Sequence, residues 1–477
     1  MNNKTIMQFF EWYLPADCTL WDKLRKEATN LKDIGITSVW LPPAYKAAGG
    51  VEDAGYGVYD LYDLGEFNQK GTVPTKYGLK DQYIEAIEEL HKNGIEVLAD
   101  IVFNHKMGAD ETEDVIAIEE LGNDRNVDIS ENINIKAWTK FYFPGRNGKY
   151  SDFCWNWTHF HGIDWDENTQ KAGIYKFYGK HWDNDVDNEN GNFDYLMGAD
   201  VDLNNVDVVN ELISWTRWYI ETCNIDGFRL DAVKHIRGDF YKDWLEEIRK
   251  ESNKEIFAVG EYWRNDVGKL KSYLEDVKNE MSLFDVPLHY NASHGEGNFD
   301  MKTIFDNTLV KENPNLAVTF VDNHDTEPGQ ALESYIMDWF KPLAYSLILL
   351  RNTGIPCVFY GDYYGINHEG NNPQKEIIDK LLYLRNNYCY GKQNDYMDNE
   401  NVIGWTLEGD QEHENSGLAV IMSDSIGGTK NMYIGEKFKN CQMYDALGKI
   451  EDIIQVDENG NAEFKCNGGS VSVWIKK

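Results

Sequence analysis

Apolar runs and amphipathic stretches alternate along the first part of the chain. Residues 36–41 form an apolar, β-branched run that stops at Pro42, as expected for a strand, because proline cannot donate a ladder hydrogen bond. Between residues 79 and 93 the apolar positions recur at helical spacing, and Gly94 supplies a stop. Residues 95–103 are almost continuously apolar, which is typical of a strand buried on both faces of a parallel sheet. The pattern therefore predicts repeated strand–helix units.

Eight such units are predicted. The strands are expected at 6–9, 36–41, 95–103, 226–231, 256–261, 281–286, 316–322 and 355–360. The helices are expected at 79–93, 208–223, 241–250, 332–350 and 375–387. Eight units in one domain favour a closed (β/α)8 barrel, a TIM barrel of the α/β class. We expect residues 1–103 and 206–390 to form it.

Two further parts do not follow this alternation. Residues 104–205 are polar, aromatic and glycine-rich. Because a loop of that length inside a compact domain is uncommon, we expect an inserted, irregular β-rich subdomain after strand three. Beyond residue 390, alternating runs at 417–422 and 470–475 are separated by Gly-Gly and Asn-Gly turn signals. Residues 391–477 are therefore expected to form an antiparallel β-sandwich.

Charge and composition exclude several classes of function. Lys and Arg number 46 against 81 Asp and Glu, which gives a net charge of −35. A nucleic-acid binder needs a basic surface, and an anionic membrane repels an acidic one, so neither partner is expected. No apolar run approaches the ~20 residues of a membrane helix. Aromatic residues make up 13% of the chain, which suits a large core or a surface on which sugars stack.

The cysteines indicate the compartment. All seven are scattered and no CxxC occurs, so we expect free thiols rather than a disulfide framework. No apolar signal segment is visible at the N-terminus. We therefore expect a cytoplasmic protein, and a monomer.

Three carboxylates follow predicted strands. Asp231 ends strand four, Glu261 ends strand five, and Asp325 lies just after strand seven. Active sites of such barrels lie at the carboxyl ends of the strands, so these side chains should meet in one pocket. Cleavage of a glycosidic bond needs such a set, because one carboxylic acid protonates the leaving oxygen while a carboxylate attacks or activates water.

The sequence neighbours suit two different roles. Arg229 lies two residues before Asp231, so both side chains should point to the same face and the cation should keep Asp231 ionised. Glu261 has no basic neighbour in sequence, and Trp263 follows two residues later. An apolar setting would raise the pKa of Glu261, as a general acid requires.

These segments resemble the four signature regions of the α-amylase family of glycoside hydrolases, and most closely those of liquefying bacterial α-amylases of the intracellular type. The four are Asp100–His105, Gly227–His235, Gly260–Trp263 and Phe320–Asp325, and Met7–Tyr13 and Asn192–Met197 extend the likeness. The resemblance implies endo-acting hydrolysis of α-1,4-glucosidic bonds in starch, glycogen and maltodextrins, by a retaining double displacement.

The resemblance also implies residue roles. Asp231 would be the nucleophile, Glu261 the general acid and base, and Asp325 the stabiliser of the transition state. The implied substrate-binding residues are Tyr56, His105, Arg229, Lys234, His235, Trp263 and His324.

A calcium ion is implied at the junction of insertion and barrel. Its ligands would be Asn104, Asp194, Asp200 and the backbone carbonyl of His235. These are hard oxygen ligands of the kind that calcium prefers. Liquefying relatives carry a second calcium and a sodium nearby, for which Asp183 and Asp202 remain. Because His161 and Asn204 stand where aspartates would be expected, we expect one calcium ion.

Three alternatives are weighed. A metal-dependent amidohydrolase would need a His-x-His pair at the end of strand one, where residues 8–11 read Gln-Phe-Phe-Glu; the His-x-His pair His159 and His161 lies in the insertion instead. A binding protein that had lost catalysis would not need all three carboxylates. An exo-acting or oligosaccharide-forming amylase, or a transglycosylase of the same family, shares the chemistry and stays open.

Overall fold

The computed structural model describes residues 3–252, 254–293, 300–368 and 372–477. Its centre is a closed barrel of eight parallel strands. These are β1 (Ile6–Gln8), β2 (Ser38–Leu41), β3 (Glu96–Ile101), β4 (Gly227–Leu230), β5 (Phe257–Gly260), β6 (Ser282–Phe284), β7 (Ala317–Phe320) and β8 (Ile355–Phe359). Each strand pairs with the next along the chain, and β8 pairs with β1 to close the barrel. The (β/α)8 prediction is confirmed.

Helices follow the barrel strands. They are α1 (Leu20–Asp33), α2 (Lys80–Lys92), α3 (Val206–Cys223), α4 (Gly238–Ser252), α5 (Val267–Asp276), α6 (Val286–Ala292), α7 (Leu309–Glu312), α8 (Lys341–Leu349), α9 (Tyr360–Tyr364) and α10 (Lys375–Tyr388). The apolar residues of α2 lie three or four positions apart and are buried, as in Tyr83, Ile87 and Leu90. The Asn205 side chain caps α3 by accepting a hydrogen bond from the Asp207 amide.

One predicted helix is wrong over half its length. Helix 332–350 begins only at Lys341, with Pro342 in its first turn, a position that proline tolerates because the first amides have no helical partner. The preceding residues 331–340 form turns and irregular backbone, and the Asp322 carboxylate accepts a hydrogen bond from the Ile336 amide at 3.1 Å. Similarly, the strand predicted at 281–286 ends at Phe284, and Val286 already begins α6.

The insertion is a seven-stranded sheet whose pairings are antiparallel, and it is more regular than expected. Its strands are His105–Lys106, Glu111–Leu121, Asp124–Asp128, Ile133–Lys140, Phe160–Asp166, Lys171–Phe177 and Ala199–Val201. The first and last of these strands pair with each other and place Asp200 opposite His105. The entry and exit of the insertion therefore meet just beyond the end of β3.

The C-terminal part contains two antiparallel sheets, as predicted. One has six strands, Gln393–Tyr396, Val402–Leu407, Leu418–Ser423, Gln442–Asp445, Ile454–Gln455 and Ser470–Lys476; the other pairs Gly427–Tyr433 with Asn461–Asn467. The Arg351 guanidinium joins this part to the barrel through two hydrogen bonds of 2.9 Å to the Asp395 carboxylate.

Two observations bear on the surroundings of the protein. None of the helices in the described ranges is both long and apolar enough to cross a membrane. All seven cysteines carry free thiols.

Candidate active site

The tip of β4 carries a buried arginine that contacts three carboxylates. Arg229 Nη1 donates to Asp231 Oδ1 at 2.7 Å and to Asp100 Oδ1 at 3.0 Å. Arg229 Nη2 lies 2.9 Å from Glu261 Oε2. The arginine is completely buried. One guanidinium therefore holds the predicted nucleophile and the predicted acid on the same rim of the barrel.

Asp100, at the end of β3, orients this arginine. Its carboxylate accepts hydrogen bonds from the Trp40 indole and the Tyr56 hydroxyl, both at 2.9 Å. Burial raises the pKa of Asp100 to about 7, against the opposing effect of Arg229. The carboxylate thus links β2, β3 and β4 beneath the pocket.

Glu261 follows β5 and is nearly buried. Its Oε2 atom accepts a hydrogen bond of 3.3 Å from the Ala232 amide, and Ala232 has a left-handed backbone with φ of 50°, a conformation uncommon outside glycine. The prediction of an apolar environment for Glu261 is wrong, because the Arg229 guanidinium is its direct neighbour in space. Burial nevertheless raises the pKa of Glu261, and the charge of Asp231 adds to the effect.

Asp325 completes the carboxylate set from the loop after β7. Burial and the nearby charges of Glu261 and Asp231 raise the pKa of Asp325 well above its usual range, although 26% of its side chain is exposed to the cleft. Asp325 Oδ2 lies 3.3 Å from His324 Nε2. Arg229 opposes this shift in the pKa of Asp325, so the charges of Arg229, Asp231 and Glu261 all act on that carboxyl.

Gln8 contacts the His324 ring on the side away from Asp325. The Gln8 amide nitrogen lies 3.0 Å from His324 Nδ1; when Nδ1 accepts that hydrogen bond, the proton of the neutral ring lies on Nε2, facing Asp325. Burial lowers the pKa of His324, as does the charge of Arg229. Gln8 ends β1 and was not identified from sequence.

Three near-parallel rings form one wall beside these groups. The Tyr56 and His324 ring centroids are 5.1 Å apart at an angle of 8°. The Trp12 ring lies 6.0 Å from Tyr56 and 6.1 Å from His324. The sequence analysis missed Trp12 as a site residue, although it lies in the 7–13 segment that carries part of the resemblance.

The remaining predicted substrate-binding residues already have protein partners. His105 Nε2 bonds to the Tyr56 carbonyl at 2.9 Å. Lys234 donates to Glu189 of the insertion at 3.1 Å and to the Trp263 carbonyl at 3.3 Å. Trp263 is 9% exposed and its indole donates to the Tyr290 hydroxyl. These side chains surround the carboxylates but present little free polar surface.

Comparison with known proteins agrees with this geometry. The sequence matches the α-amylase catalytic domain over residues 24–402 and the α-amylase C-terminal domain over residues 418–475. The chain belongs to the α-amylase family.

Its relatives match along the whole chain. It is 56% identical over 480 residues to an α-amylase of Geobacillus stearothermophilus, covering 100% of this chain and 87% of that protein. It is 52% identical to a glucan 1,4-α-maltohexaosidase of Bacillus sp. (strain 707), with 100% and 93% covered. A cytoplasmic α-amylase of Escherichia coli (strain K12) is 45% identical, with 100% and 99% covered.

Beside the α-amylase cleft, the acidic residues of the insertion gather at its junction with the barrel. Ligand atoms of Asp194, Asp200 and His161 lie within 4.8 Å of one another. Asn104 is buried next to them in the chain that leads from β3, and its carbonyl accepts a hydrogen bond from the Val201 amide. His235 is fixed by its Nδ1 atom on the Phe193 carbonyl at 2.6 Å, and burial lowers its pKa to about 3.

The donor set fits a calcium ion. His161 Nδ1 lies 3.0 Å from Asp200 Oδ2 and 3.2 Å from Asp194 Oδ2. Within the described ranges no protein group donates a hydrogen bond to the Oδ1 atom of either aspartate. Burial and the charge of Asp194 raise the pKa of Asp200 well above its usual range, although His161 opposes the shift, so a further cation would stabilise the ionised pair.

The residues considered for a second ion, Asp183 and Asp202, already have protein partners. Lys180 Nζ donates to Asp202 Oδ2 at 2.5 Å, and the Asn204 amide donates to Asp183 Oδ1 at 2.5 Å. His161 Nε2 lies 3.1 Å from the other oxygen of Asp202. Although burial opposes it, hydrogen bonding to the aspartates raises the pKa of His161 well above its usual range. Side-chain donors therefore already bind the carboxylates that a second calcium or a sodium ion would need.

Proposed function

We propose that the protein is an endo-acting α-amylase that hydrolyses α-1,4-glucosidic bonds of starch, glycogen and maltodextrins with retention of configuration. The observation that carries the proposal is the Arg229 guanidinium, which contacts Asp231 at 2.7 Å and Glu261 at 2.9 Å. A retaining glycosidase needs two carboxyls close together, one as nucleophile and one as acid. Family membership supports the substrate class.

The proposed first step uses two differently charged carboxyls. The Asp231 carboxylate, its charge stabilised by Arg229, attacks the anomeric carbon. Glu261, whose pKa burial raises, donates its proton to the leaving glycosidic oxygen as that bond breaks. In the second step Glu261 takes a proton from water, which attacks the same carbon and releases Asp231.

Asp325 and His324 are proposed to hold the reacting sugar ring. Asp325 remains partly exposed to the cleft, where it would bind sugar hydroxyls and stabilise the positive charge of the transition state. Tyr56 and Trp12 offer ring faces, on which the apolar face of a sugar can stack. His105, Lys234, His235 and Trp263 are proposed to shape the neighbouring subsites.

One calcium ion is proposed as a structural cofactor. Asn104, Asp194, Asp200 and the His235 carbonyl would bind it and fasten the insertion to the barrel. Because Lys180, His161 and Asn204 already satisfy Asp183 and Asp202, a second calcium and a sodium are not proposed.

We further propose a cytoplasmic monomer whose partner is an α-glucan. The free thiols and the relative named as a cytoplasmic α-amylase support the compartment. The net charge of −35 argues against nucleic acid and anionic membrane as partners. The barrel proposed at 1–103 and 206–390, the insertion at 104–205 and the C-terminal domain at 391–477 follow the observed sheets.

A second candidate differs in product pattern. The 52% identical relative is named a glucan 1,4-α-maltohexaosidase. This name supports, as the second candidate, an oligosaccharide-forming amylase that uses the same chemistry. Viscosity of a starch solution, followed together with reducing ends, separates the two. Internal cleavage lowers the viscosity early, whereas end-wise release leaves it high.

Proton NMR of the first product tests the mechanism. We expect the α-anomer to accumulate before mutarotation, because two displacements at the same carbon restore its configuration. Initial release of the β-anomer would overturn the assignment of Asp231 as nucleophile.

A further inference from the structure

Two buried glutamates lie behind the ring wall and have no role in the proposed reaction. Glu11 follows β1, and Glu327 lies two residues beyond Asp325 in the loop after β7; they are 1% and 0% exposed. Glu327 Oε1 accepts a hydrogen bond from the Trp12 amide at 2.8 Å, and Glu11 Oε2 accepts one from the Tyr13 amide at 2.5 Å. Both carboxyls therefore hold the same short turn of backbone.

This turn presents the Trp12 ring to the cleft. Trp12 is the ring that lies 6.1 Å from His324 and 6.0 Å from Tyr56. Because the Trp12 amide is anchored by Glu327, the loop after β7 fixes both His324 and the tryptophan stacked beside it. A change at Glu327 should therefore reach the sugar-binding wall without altering a group that touches the reacting atoms.

No cation contacts the pair directly. Among the described residues no lysine or arginine forms an ion pair with either carboxylate, although Lys76 and Lys23 lower the pKa of Glu11 from a greater distance. Lys76 Nζ contacts the Trp12 carbonyl at 3.3 Å instead, and Lys23 binds the Tyr360 hydroxyl. Glu327 Oε2 is buried and has no hydrogen-bond partner there. In that position an ionised carboxylate costs more free energy than a neutral carboxyl, because an unpaired buried charge is penalised more than an unpaired buried dipole.

We propose that Glu327 is a neutral positioning residue, which retains its own proton in the field of Glu11 and holds Trp12 against the sugar-binding wall. The assignment rests on the proposed function for the meaning of that wall. Loss of the proton would place two negative charges on one buried turn, so Trp12 should be released on the alkaline side.

The charges that face the pair agree with a retained proton. Burial, and then the charge of Glu11, raises the pKa of Glu327 to about 9; Asp325 and Asp322 act in the same direction. Burial raises the pKa of Glu11 to about 7, while Lys76 and Lys23 oppose it. A raised pKa means that the stability from Glu327 is complete below its unfolded pKa and is lost as the pH rises through its folded pKa.

Glu327→Gln tests the proposal, because an amide keeps the acceptor for Trp12 and cannot ionise. At pH 7 we expect kcat/KM on a chromogenic maltooligosaccharide to stay within about twofold of wild type, since the hydrogen bond is kept. At pH 9.5 the variant should retain at least about threefold more of its pH 7 activity than wild type does, because the buried charge is absent. Glu327→Ala should lower kcat/KM at pH 7 about tenfold, mainly through KM, since the anchor is lost.

Glu333→Gln is the matched control. Glu333 lies in the same loop, is exposed, and accepts a hydrogen bond from the Gly329 amide. Its pH profile should superimpose on that of wild type. An alkaline limb of Glu327→Gln that superimposes as well, a tenfold loss at pH 7, or failure of this variant to fold at pH 7 would each overturn the proposal.

Thermal unfolding separates this inference from the proposed function. The midpoint of wild type should fall more between pH 6 and pH 9.5 than that of Glu327→Gln, whatever the substrate. Equal shifts would overturn the retained proton. Failure of wild type to cleave any α-glucan would instead refute the proposed function and leave the midpoint comparison valid.

Discussion

At the scale of single residues, the positive charge of Arg229 controls how many of the surrounding carboxyls can be ionised together. Its guanidinium faces Asp100, Asp231 and Glu261, so three carboxyls share one positive charge. Since burial penalises each remaining negative charge, the pKa values of Asp100, Glu261 and Asp325 are all raised. The pKa of Glu261 is thus raised beside an arginine-paired Asp231, which is the direction that a general acid working near neutral pH requires.

Replacing Glu261 by Gln tests the proposed acid. With starch we expect kcat to fall about 10²–10⁴-fold, the usual contribution of general acid catalysis. With α-maltosyl fluoride, whose leaving group needs no proton, formation of the glycosyl intermediate should be far less impaired. Stopped-flow release of fluoride measures this step. Asp231→Asn is the comparison variant, and it should lose activity on both substrates because the nucleophile itself is changed.

At the scale of elements, a buried charge network fixes the loop after β7. Lys341 Nζ, at the start of α8, lies 3.2 Å from Asp322 Oδ2 and also binds Asp362 of α9. The Tyr345 hydroxyl donates to Asp362 at 2.7 Å. Burial raises the pKa of Asp362 to about 6, against the effect of Lys341. Because Asp322 lies three residues before Asp325, this network fixes the backbone of the loop that carries Asp325.

Replacing Lys341 by Met should leave two buried carboxylates without their cation. We expect the free energy of unfolding to fall by about 3–5 kcal/mol, the usual effect of removing one partner of a buried ion pair. Urea unfolding followed by tryptophan fluorescence measures it. Lys380→Met is the control: its exposed pair with Glu376 one turn away should change stability by no more than about 0.5 kcal/mol. Equal midpoints for the two variants would contradict the role of the network.

The barrel strands and the segment before α8 show which parts of the structure could be predicted from the sequence. Barrel strands such as β3 and β5 were predictable because apolar runs buried on both faces leave a clear pattern. Asp231 and Glu261 were predictable because strand ends of one barrel must meet at one rim. The non-helical segment before Lys341 was not, since its apolar residues repeat as in a helix while the Asp322 carboxylate accepts a hydrogen bond from the Ile336 amide. Propensity was overridden there by a tertiary hydrogen bond.

At the scale of the whole molecule, the site depends on pairings that are remote in sequence. Gln8 and His324 are 316 residues apart, and Trp12 and Glu327 are 315 apart. No local pattern could reveal them, because closure of the barrel between β1 and β8 brings these segments together. The resemblance supplied the residues that are proposed to touch sugar, whereas the supporting residues required coordinates.

The contact between the insertion and the barrel is also long-range in sequence, and the proposed calcium ion should stabilise it. Asp194 and Asp200 belong to the insertion, whereas His235 follows β4, four residues after Asp231. An ion that binds only the folded arrangement stabilises it by about 2.7 kcal/mol when free calcium is about 100 times Kd. Exhaustive chelation should therefore lower the thermal unfolding midpoint and the activity together, and readdition of calcium should restore both. An unchanged midpoint would contradict the proposed ion.

The proposed number of calcium ions is one per chain. Wild type should bind one calcium per chain in equilibrium dialysis. The double variant His161→Asp with Asn204→Asp should bind at least one more, because it removes the imidazole from Asp200 and Asp202 and the amide from Asp183, and it adds two hard anionic ligands. His181→Asp adds a comparable charge at an exposed position of the same insertion and should leave the count at one. If the double variant also binds one ion, then His161 and Asn204 do not stand in for the missing cations, and the proposed exclusion of the second site by side-chain donors fails.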